Sequence, residues 1–462
     1  MRDRVFFVLL AAGLLITRLC HSGLLWAEES LPLAAVGQML RGKLLYQDIW
    51  FDKPPLTAAV HFLCGGYPGW PVRVLGALYA LTACWVAYLF AKQKWGREEG
   101  LYAASGLAFF LTFWIPSAVI PLAADLLMLA PHMAAVYLAW RGRLFWSGVL
   151  AGVAFQFNSK ALVVLLVCAL WQRRRWGLLA AGFALPNAVA LGWLAASGSL
   201  SSYLAEVWRS GLLYSGDTFV GNRYWNGVER TANWLGFHAA LVVCAAWYWL
   251  KGRDAERWRM ALWGVLAAAT VVAGWRFFPR YYFALLPVMV LAGARGFALL
   301  GKRRWLVLPL LLIPLARFGP RYVALARGGQ AQWRDAAMDQ DSQAASAQVR
   351  NLAKPGDTLF VWGFRPELYV YAGLPAATRF LESQPLTGVF ADRHLTQSAP
   401  SVSEWAARNR RELAGTAPTF VLDGLGPYNP VLRVEAYGEL REWLAHYRAV
   451  GRTSNTIIYR RY

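Results

Sequence analysis

Apolar stretches of about 18–20 residues recur from the N-terminus to about residue 318, each long enough to cross roughly 30 Å of hydrocarbon as a helix. A soluble core could not bury so many helices that are apolar on every side. Charged residues make up 16% of the chain, against roughly 25% in a typical soluble domain. The sequence therefore predicts a mostly α, polytopic membrane bundle.

The net charge of +21 is unevenly placed. From residue 331 onward, 15 Lys+Arg face 13 Asp+Glu, so +19 lies in residues 1–330, between the apolar segments. Basic clusters flanking spans are the positive-inside signal and a contact for anionic lipid; nucleic acid is not an expected partner. Six such clusters occur, at Arg2–Arg4, Lys92–Arg97, Arg141–Arg143, Arg173–Arg175, Lys251–Arg259 and Lys302–Arg304. Placing them all in the cytoplasm threads eleven crossings: 5–25, 70–91, 99–116, 121–140, 144–157, 160–172, 176–197, 231–250, 259–275, 281–299 and 304–318. The pair 144–157 and 160–172 is short for full crossings. Residues 56–67 are apolar but too short to span, and are expected to lie along the outer interface. Arg2 and Arg4 before an apolar run resemble a signal peptide, yet the spans that follow favour an uncleaved first helix.

An odd number of crossings leaves the N-terminus inside and the C-terminal region outside. The expected division is a transmembrane domain over 1–320, with its first outer loop at 26–69, and an extracytoplasmic α/β domain over 321–462. In the latter, the strand-like runs Leu359–Trp362, Thr419–Asp423 and Thr456–Tyr459 alternate with helix-like segments around Asp341–Leu352, Val402–Leu413 and Val434–Arg448, the pattern of a small α/β layer. There is no internal repeat. The five cysteines show neither paired framework nor metal spacing and read as small core hydrophobes. The six histidines show no ligand spacing either, so no structural zinc is predicted.

Polar segments gather on the outer side: residues 26–55, the turns at Pro116–Pro121 and Asn158–Lys160, the loop 198–230, and Arg276–Tyr282. A transporter more often places ionisable groups at mid-membrane depth. In the first loop, Glu28 and Glu29 follow the first span, where partial desolvation would suit one of them as a base; as helix-start charges they would equally complement a helix dipole. Leu33, Val36, Leu40 and Leu44 form an apolar stripe compatible with a helix on the membrane surface. Asp48, Asp52 and Lys53 close the loop before Pro54 and Pro55 break the helix. Lys53 could also be an anchor snorkelling toward headgroups, and Arg276 and Arg280 ordinary flanking charges, although an outer position runs against the positive-inside bias. Lys160 sits in a tight turn and Asp125 opens a span, where it could orient a neighbouring helix end. Arg73 reads as an interface charge. The aromatic and polar residues of 198–230, among them Tyr203, Glu206, Tyr214 and Asp217, would suit sugar recognition, but an interfacial aromatic belt explains most of them.

The loop resembles the first extracytoplasmic loop of the C-type membrane glycosyltransferases, in the branch of bacterial protein mannosyltransferases and lipid A aminoarabinose transferases. The matching features are the acidic pair Glu28-Glu29, the turn Arg41-Gly42-Lys43, Asp48, and Lys53-Pro54-Pro55-Leu56. Arg73, Asp125, Lys160 and Arg280-Tyr281-Tyr282 leading to Pro287 extend the likeness over about 1–300, and Trp362–Tyr369 resembles the tail of bacterial members more weakly. The family's acidic pair usually begins with aspartate, whereas this chain has Glu28, which leaves open whether Glu28, Glu29 or Asp48 is the base.

The resemblance implies inverting transfer of a sugar from a polyprenyl-phosphate carrier to an acceptor hydroxyl of a lipid, protein or polysaccharide, on the outer face of a bacterial inner membrane. It implies Lys53 as the carrier-phosphate contact. Arg276, Arg280 and Lys160 are further candidate cations, with Asp52, Asp125, Tyr281 and Tyr282 in support. No cofactor is expected, although some relatives use a divalent metal. The competing readings are a lipid-linked-sugar transporter and a non-catalytic membrane subunit.

Overall fold

Hydrocarbon offers the backbone no hydrogen-bond partner, so spanning segments must satisfy their own N–H and C=O groups as helices. The computed structural model, which describes residues 2–171, 175–216, 222–329 and 333–462, is built on that solution up to residue 326. Helices at Arg2–Leu19, Trp70–Lys94, Arg97–Phe110, Ala124–Trp140, Leu144–Phe157, Leu162–Trp171, Trp176–Ala196, Ala239–Lys251, Arg257–Val272 and Leu286–Leu299, with a final run over Gly301–Ala326, match the eleven expected segments one for one. Among the described residues, three are long and apolar enough to span unaided: Trp70–Lys94, Trp176–Ala196 and Gly301–Ala326. The expected span 231–250 breaks at His238, where Arg223–Phe237 meets Ala239–Lys251. The segment at 56–67 is a helix of 8 residues, Pro55–Phe62, about 12 Å long at 1.5 Å per residue and too short to cross.

Small residues let the helices approach at backbone distance. A methyl group on Gly148, Gly152 or Gly182 would strike Leu179, Pro186 or Phe145 of the facing helix, so Leu144–Phe157 and Trp176–Ala196 lock together. Ion pairs and hydrogen bonds gather five of the basic clusters at one end of the bundle. Asp3 holds Lys92 at 3.7 Å and Arg97 at 2.5 Å. Lys94 reaches Asp254 and Glu256, Arg141 reaches Gln93, and Arg304 reaches Tyr102. Arg173 and Arg174 lie outside the described residues, as does Asp217.

The C-terminal region forms a four-stranded sheet, β1 (Leu359–Trp362), β2 (Phe420–Asp423), β3 (Tyr447–Arg452) and β4 (Ile457–Arg461), in the order β1-β2-β4-β3. β1 and β2 are parallel, and β4 runs antiparallel to both of its neighbours. Three strands fall where the sequence placed them. The fourth replaces the end of the helix expected over 434–448: that helix stops at Ala445 and the chain enters β3. β3 is an edge strand, paired only with β4, and its mixed burial masks the alternation that would have marked it.

The loop at 26–69 is roofed by this layer rather than lying free. Helix Ala27–Met39 packs on Pro55–Phe62 and on Glu367–Ala372, and Tyr46, Ile49 and Phe51 share one apolar cluster with Leu359, Val361, Phe420 and Leu422 of the sheet. The stripe expected to face lipid is therefore split. Leu33 and Val36 are buried in protein, whereas Leu40 and Leu44 are exposed. Hydrogen bonds fasten the seam: Trp50 N donates to Arg379 O at 2.8 Å, and Ala376 N to the Gln38 side-chain Oε1 at 2.8 Å.

Candidate active site

Glu28 and Glu29 stand in the first turn of Ala27–Met39, which leaves an extended residue at Trp26. Adjacent positions on a helix point about 100° apart, so the two carboxylates serve different surroundings. Glu29 turns inward and is fully buried. Arg73 grips it with two bonds of 2.8 and 2.5 Å, and Leu122 N adds a third at 3.1 Å. Arg73, read from sequence as an interface charge, is itself fully buried. It also donates to His21 O and Leu24 O, so it bolts the loop to the bundle. Such a pair is bidentate and desolvated, and its carboxylate is not free to receive a proton from a substrate.

Glu28 turns the other way, half-buried, into a polar cluster built from four distant segments. Its Oε1 pairs with Arg280 Nη1, and Arg280 Nε lies 3.6 Å from Asp125 Oδ2. Asp125 opens the helix Ala124–Trp140, and its Oδ1 accepts from Asn158 Nδ2 at 3.0 Å. Asn158 uses its own Oδ1 to cap the following turn through Lys160 N, at 3.0 Å. That cap sets Lys160 with its ammonium buried above the Tyr281 ring and, among the described residues, without a hydrogen-bond partner. Burial alone would lower the pKa of Arg280, but Glu28 and Asp125 outweigh it and push the guanidinium further up, so it stays charged. Lys53 lies within electrostatic range of both Asp125 and Lys160, and Arg276 within range of Lys160.

The remaining candidates divide cleanly. Lys53 pairs with Asp52 at 2.6 Å, and its carbonyl accepts from Tyr46 Oη at 2.6 Å, which fixes the Lys-Pro-Pro turn. Arg276 is buried, stacked 3.6 Å over the Tyr214 ring, and bonded to Asp392 Oδ2 at 2.7 Å. It is flanked by left-handed backbone at Trp275 (φ 54°) and Phe277 (φ 50°), a conformation costing on the order of 1–3 kcal/mol per residue and held only where packing over-determines it. Tyr281 contributes to the cluster floor. Tyr282 faces away, stacking on Trp234 and bonding Thr231 at 2.9 Å. Asp48 is exposed, caps its own turn through Leu44 N at 2.9 Å, and lines a separate cavity. Among the described residues, no three His, Cys, Asp or Glu side chains converge in a metal-holding group.

Comparison with known protein families and with curated proteins finds no match. Solved structures do match over almost the whole chain. ArnT from Cupriavidus metallidurans bound to undecaprenyl phosphate superposes with a TM-score of 0.64 at 14% identity, covering 98% of this chain and 97% of that one. The oligosaccharyltransferase of Archaeoglobus fulgidus in its apo form gives a TM-score of 0.53 at 13% identity, covering 96% of this chain and 72% of that one. The mycobacterial arabinofuranosyltransferase AftD gives 0.53 at 16% identity, covering 99% and 40%. The chain has the C-type glycosyltransferase fold.

On this fold, several partners of the site come from where sequence reading gave no sign of them. Asp392 reaches it from the C-terminal layer through Arg276, and Glu382 lies within electrostatic range of Asp52 and Lys53. Glu382 is fully buried, and burial pushes its pKa up to about 8, reinforced by Asp52 and opposed by Gln384 and Lys53. Asn158 had one signal, its place in the short turn with Lys160.

Proposed function

We propose that this multi-pass membrane protein is a glycosyltransferase that moves a sugar from a polyprenyl-phosphate carrier to an acceptor hydroxyl on the extracytoplasmic face of a bacterial plasma membrane. The observation that carries the reading is the convergence of Glu28 with Asp125 and four cations, Lys53, Lys160, Arg276 and Arg280, contributed by segments far apart in sequence. The shared fold with an undecaprenyl-phosphate-bound transferase supports it.

In this scheme Glu28 takes the proton of the acceptor hydroxyl as its oxygen attacks the anomeric carbon. The bond from that carbon to the phosphate oxygen breaks on the opposite face, so configuration inverts. Polyprenyl phosphate leaves with the electron pair, and the cations stabilise its growing charge, which makes a protonating acid unnecessary. Arg280 is paired with Glu28 before substrate arrives. A phosphate that draws Arg280 toward itself would leave Glu28 free to act as base. Glu29 is held by Arg73 as a brace, and Asp48 lines a separate cavity, which supports Glu28 over the other two candidate bases. Clustering of the basic loops at the far end of the bundle favours the threading with the N-terminus inside.

The test uses purified full-length protein in lipid nanodiscs with undecaprenyl-phosphate sugars and mixed envelope acceptors. Transfer lost in Glu28→Gln, with undecaprenyl-phosphate binding retained, supports the scheme. Unchanged transfer in Glu28→Gln would sink it. Carrier-sugar crossing proteoliposomes without acceptor would favour a transporter, and impermeant labelling of a cysteine at Lys53 only from the cytoplasmic side would refute the topology.

A further inference from the structure

A second polar cavity lies at the seam between the first outer loop and the C-terminal layer. It has a volume of about 330 Å³ and is lined by Lys43, Gln47 and Asp48 from the loop and by Thr378, Arg379, Phe380, Glu412 and Thr416 from the layer. That size is at the lower end of the roughly 300–1,000 Å³ of small-molecule sites. Two cations and two carboxylates cancel across it, so the site has no excess charge with which to select an anion. It offers instead donors and acceptors on opposing walls, the groups that polyhydroxylated rings require. Several of these groups are already fixed. Lys43 Nζ donates to Ala376 O at 2.5 Å. Arg379 donates to Tyr46 O at 2.7 Å and pairs with Glu206, while its buried Nε has no partner among the described residues. Pre-set groups of this kind bind without first being ordered.

We infer that this cavity is a saccharide-binding subsite that holds one or two uncharged sugar rings of the acceptor. The inference rests on the transferase reading and adds the acceptor's chemical class to it. The cavity is wired to the candidate active site: the Glu206 carboxylate that pairs with Arg379 also accepts from Phe51 N at 2.9 Å, beside the Asp52–Lys53 pair. An acceptor anchored here would extend along the loop toward Glu28.

The experiment measures binding of neutral methyl glycosides and disaccharides to the full-length protein by saturation-transfer NMR, with undecaprenyl-phosphate binding measured on the same preparation. Glu412 and Gln47 are exposed, so Glu412→Gln and Gln47→Ala should fold, which a melting curve verifies. At least one sugar is expected to bind, with about tenfold weaker affinity in either variant, the cost of one lost charged or amide hydrogen bond, and unchanged binding of undecaprenyl phosphate. No binding by any sugar of the set, or binding that survives both substitutions, overturns the subsite. Loss of carrier binding alone, with sugar binding intact, counts instead against the transferase reading.

Discussion

The membrane half pairs its buried carboxylates with cations, whereas the C-terminal layer does so for only some of its own. In the membrane half each one meets a cation: Glu29 has Arg73, Glu28 has Arg280, and Asp125 has Arg280 with Lys160 nearby. In the layer, Asp341 and Glu367 share Arg365, but Asp339, Glu382 and Asp423 are buried and bonded by neutral donors, namely Leu25 N, Gln343 and Tyr371 for the first, Gln384 for the second, and Leu425 N and Gly426 N for the third. The difference teaches where charge is kept. The membrane half keeps cations beside its acids at the candidate site, whereas Asp339, Glu382 and Asp423 of the layer clamp neutral donors and burial drives them toward the neutral form.

The severest challenge to this contrast is to remove one half of a matched pair. Arg73→Met strands Glu29 in a dry site and should destabilise the protein by about 3–5 kcal/mol, seen as loss of monodisperse protein in detergent. The double variant Glu29→Leu with Arg73→Met should recover most of that loss; equal damage in both would show that the charge match is not what holds the loop. Next in size, Glu28→Gln should lower transfer by about 10²–10⁴-fold, the range of general-base catalysis, with the melting temperature unchanged. A parallel fall in stability would move Glu28 into the bracing class with Glu29.

For the layer, pH is the probe. Burial raises Asp339 to about 6, Asp423 to about 7 and Glu382 to about 8, against roughly 4 for unfolded carboxyls. Between those limits the folded state binds more protons than the unfolded one, so stability falls as pH rises from about 4 to 8. Melting temperature against pH should show that slope, and Glu382→Gln should flatten its upper part. A flat profile in the unmodified protein would erase the contrast. The smallest effect belongs to the exposed pair Arg411–Glu404: Glu404→Gln should leave the melting temperature unmoved, because solvent screens such pairs.

Much of this architecture is legible in the sequence because spans and central strands are local patterns. Eleven apolar segments and the strands at 359, 420 and 457 announce themselves. Strand β3 does not, since an edge strand needs only one partner and Tyr447–Arg452 shows no clean alternation. At the site, residue types and their order could be read, but direction could not. Nothing in Glu28-Glu29 says which carboxylate meets Arg73, since that depends on where the loop helix is clamped. Arg73 itself looks like any span-flanking cation until its partner, 44 positions away, is in place. Asp392 carries no sequence signal at all, because only the folding of the layer over the bundle brings it to Arg276.

That roof has a consequence for biogenesis. Leu25 N, Trp26 Nε1 and Ser30, which frame Glu28 and Glu29, are bonded to Asp339, Asp335 and Glu367. The segment that emerges early during synthesis thus waits for residues made about 310–340 positions later before it sets. Contacts of such long sequence separation form late, and a nascent chain stalled in the bundle would hold its spans yet lack a finished candidate site.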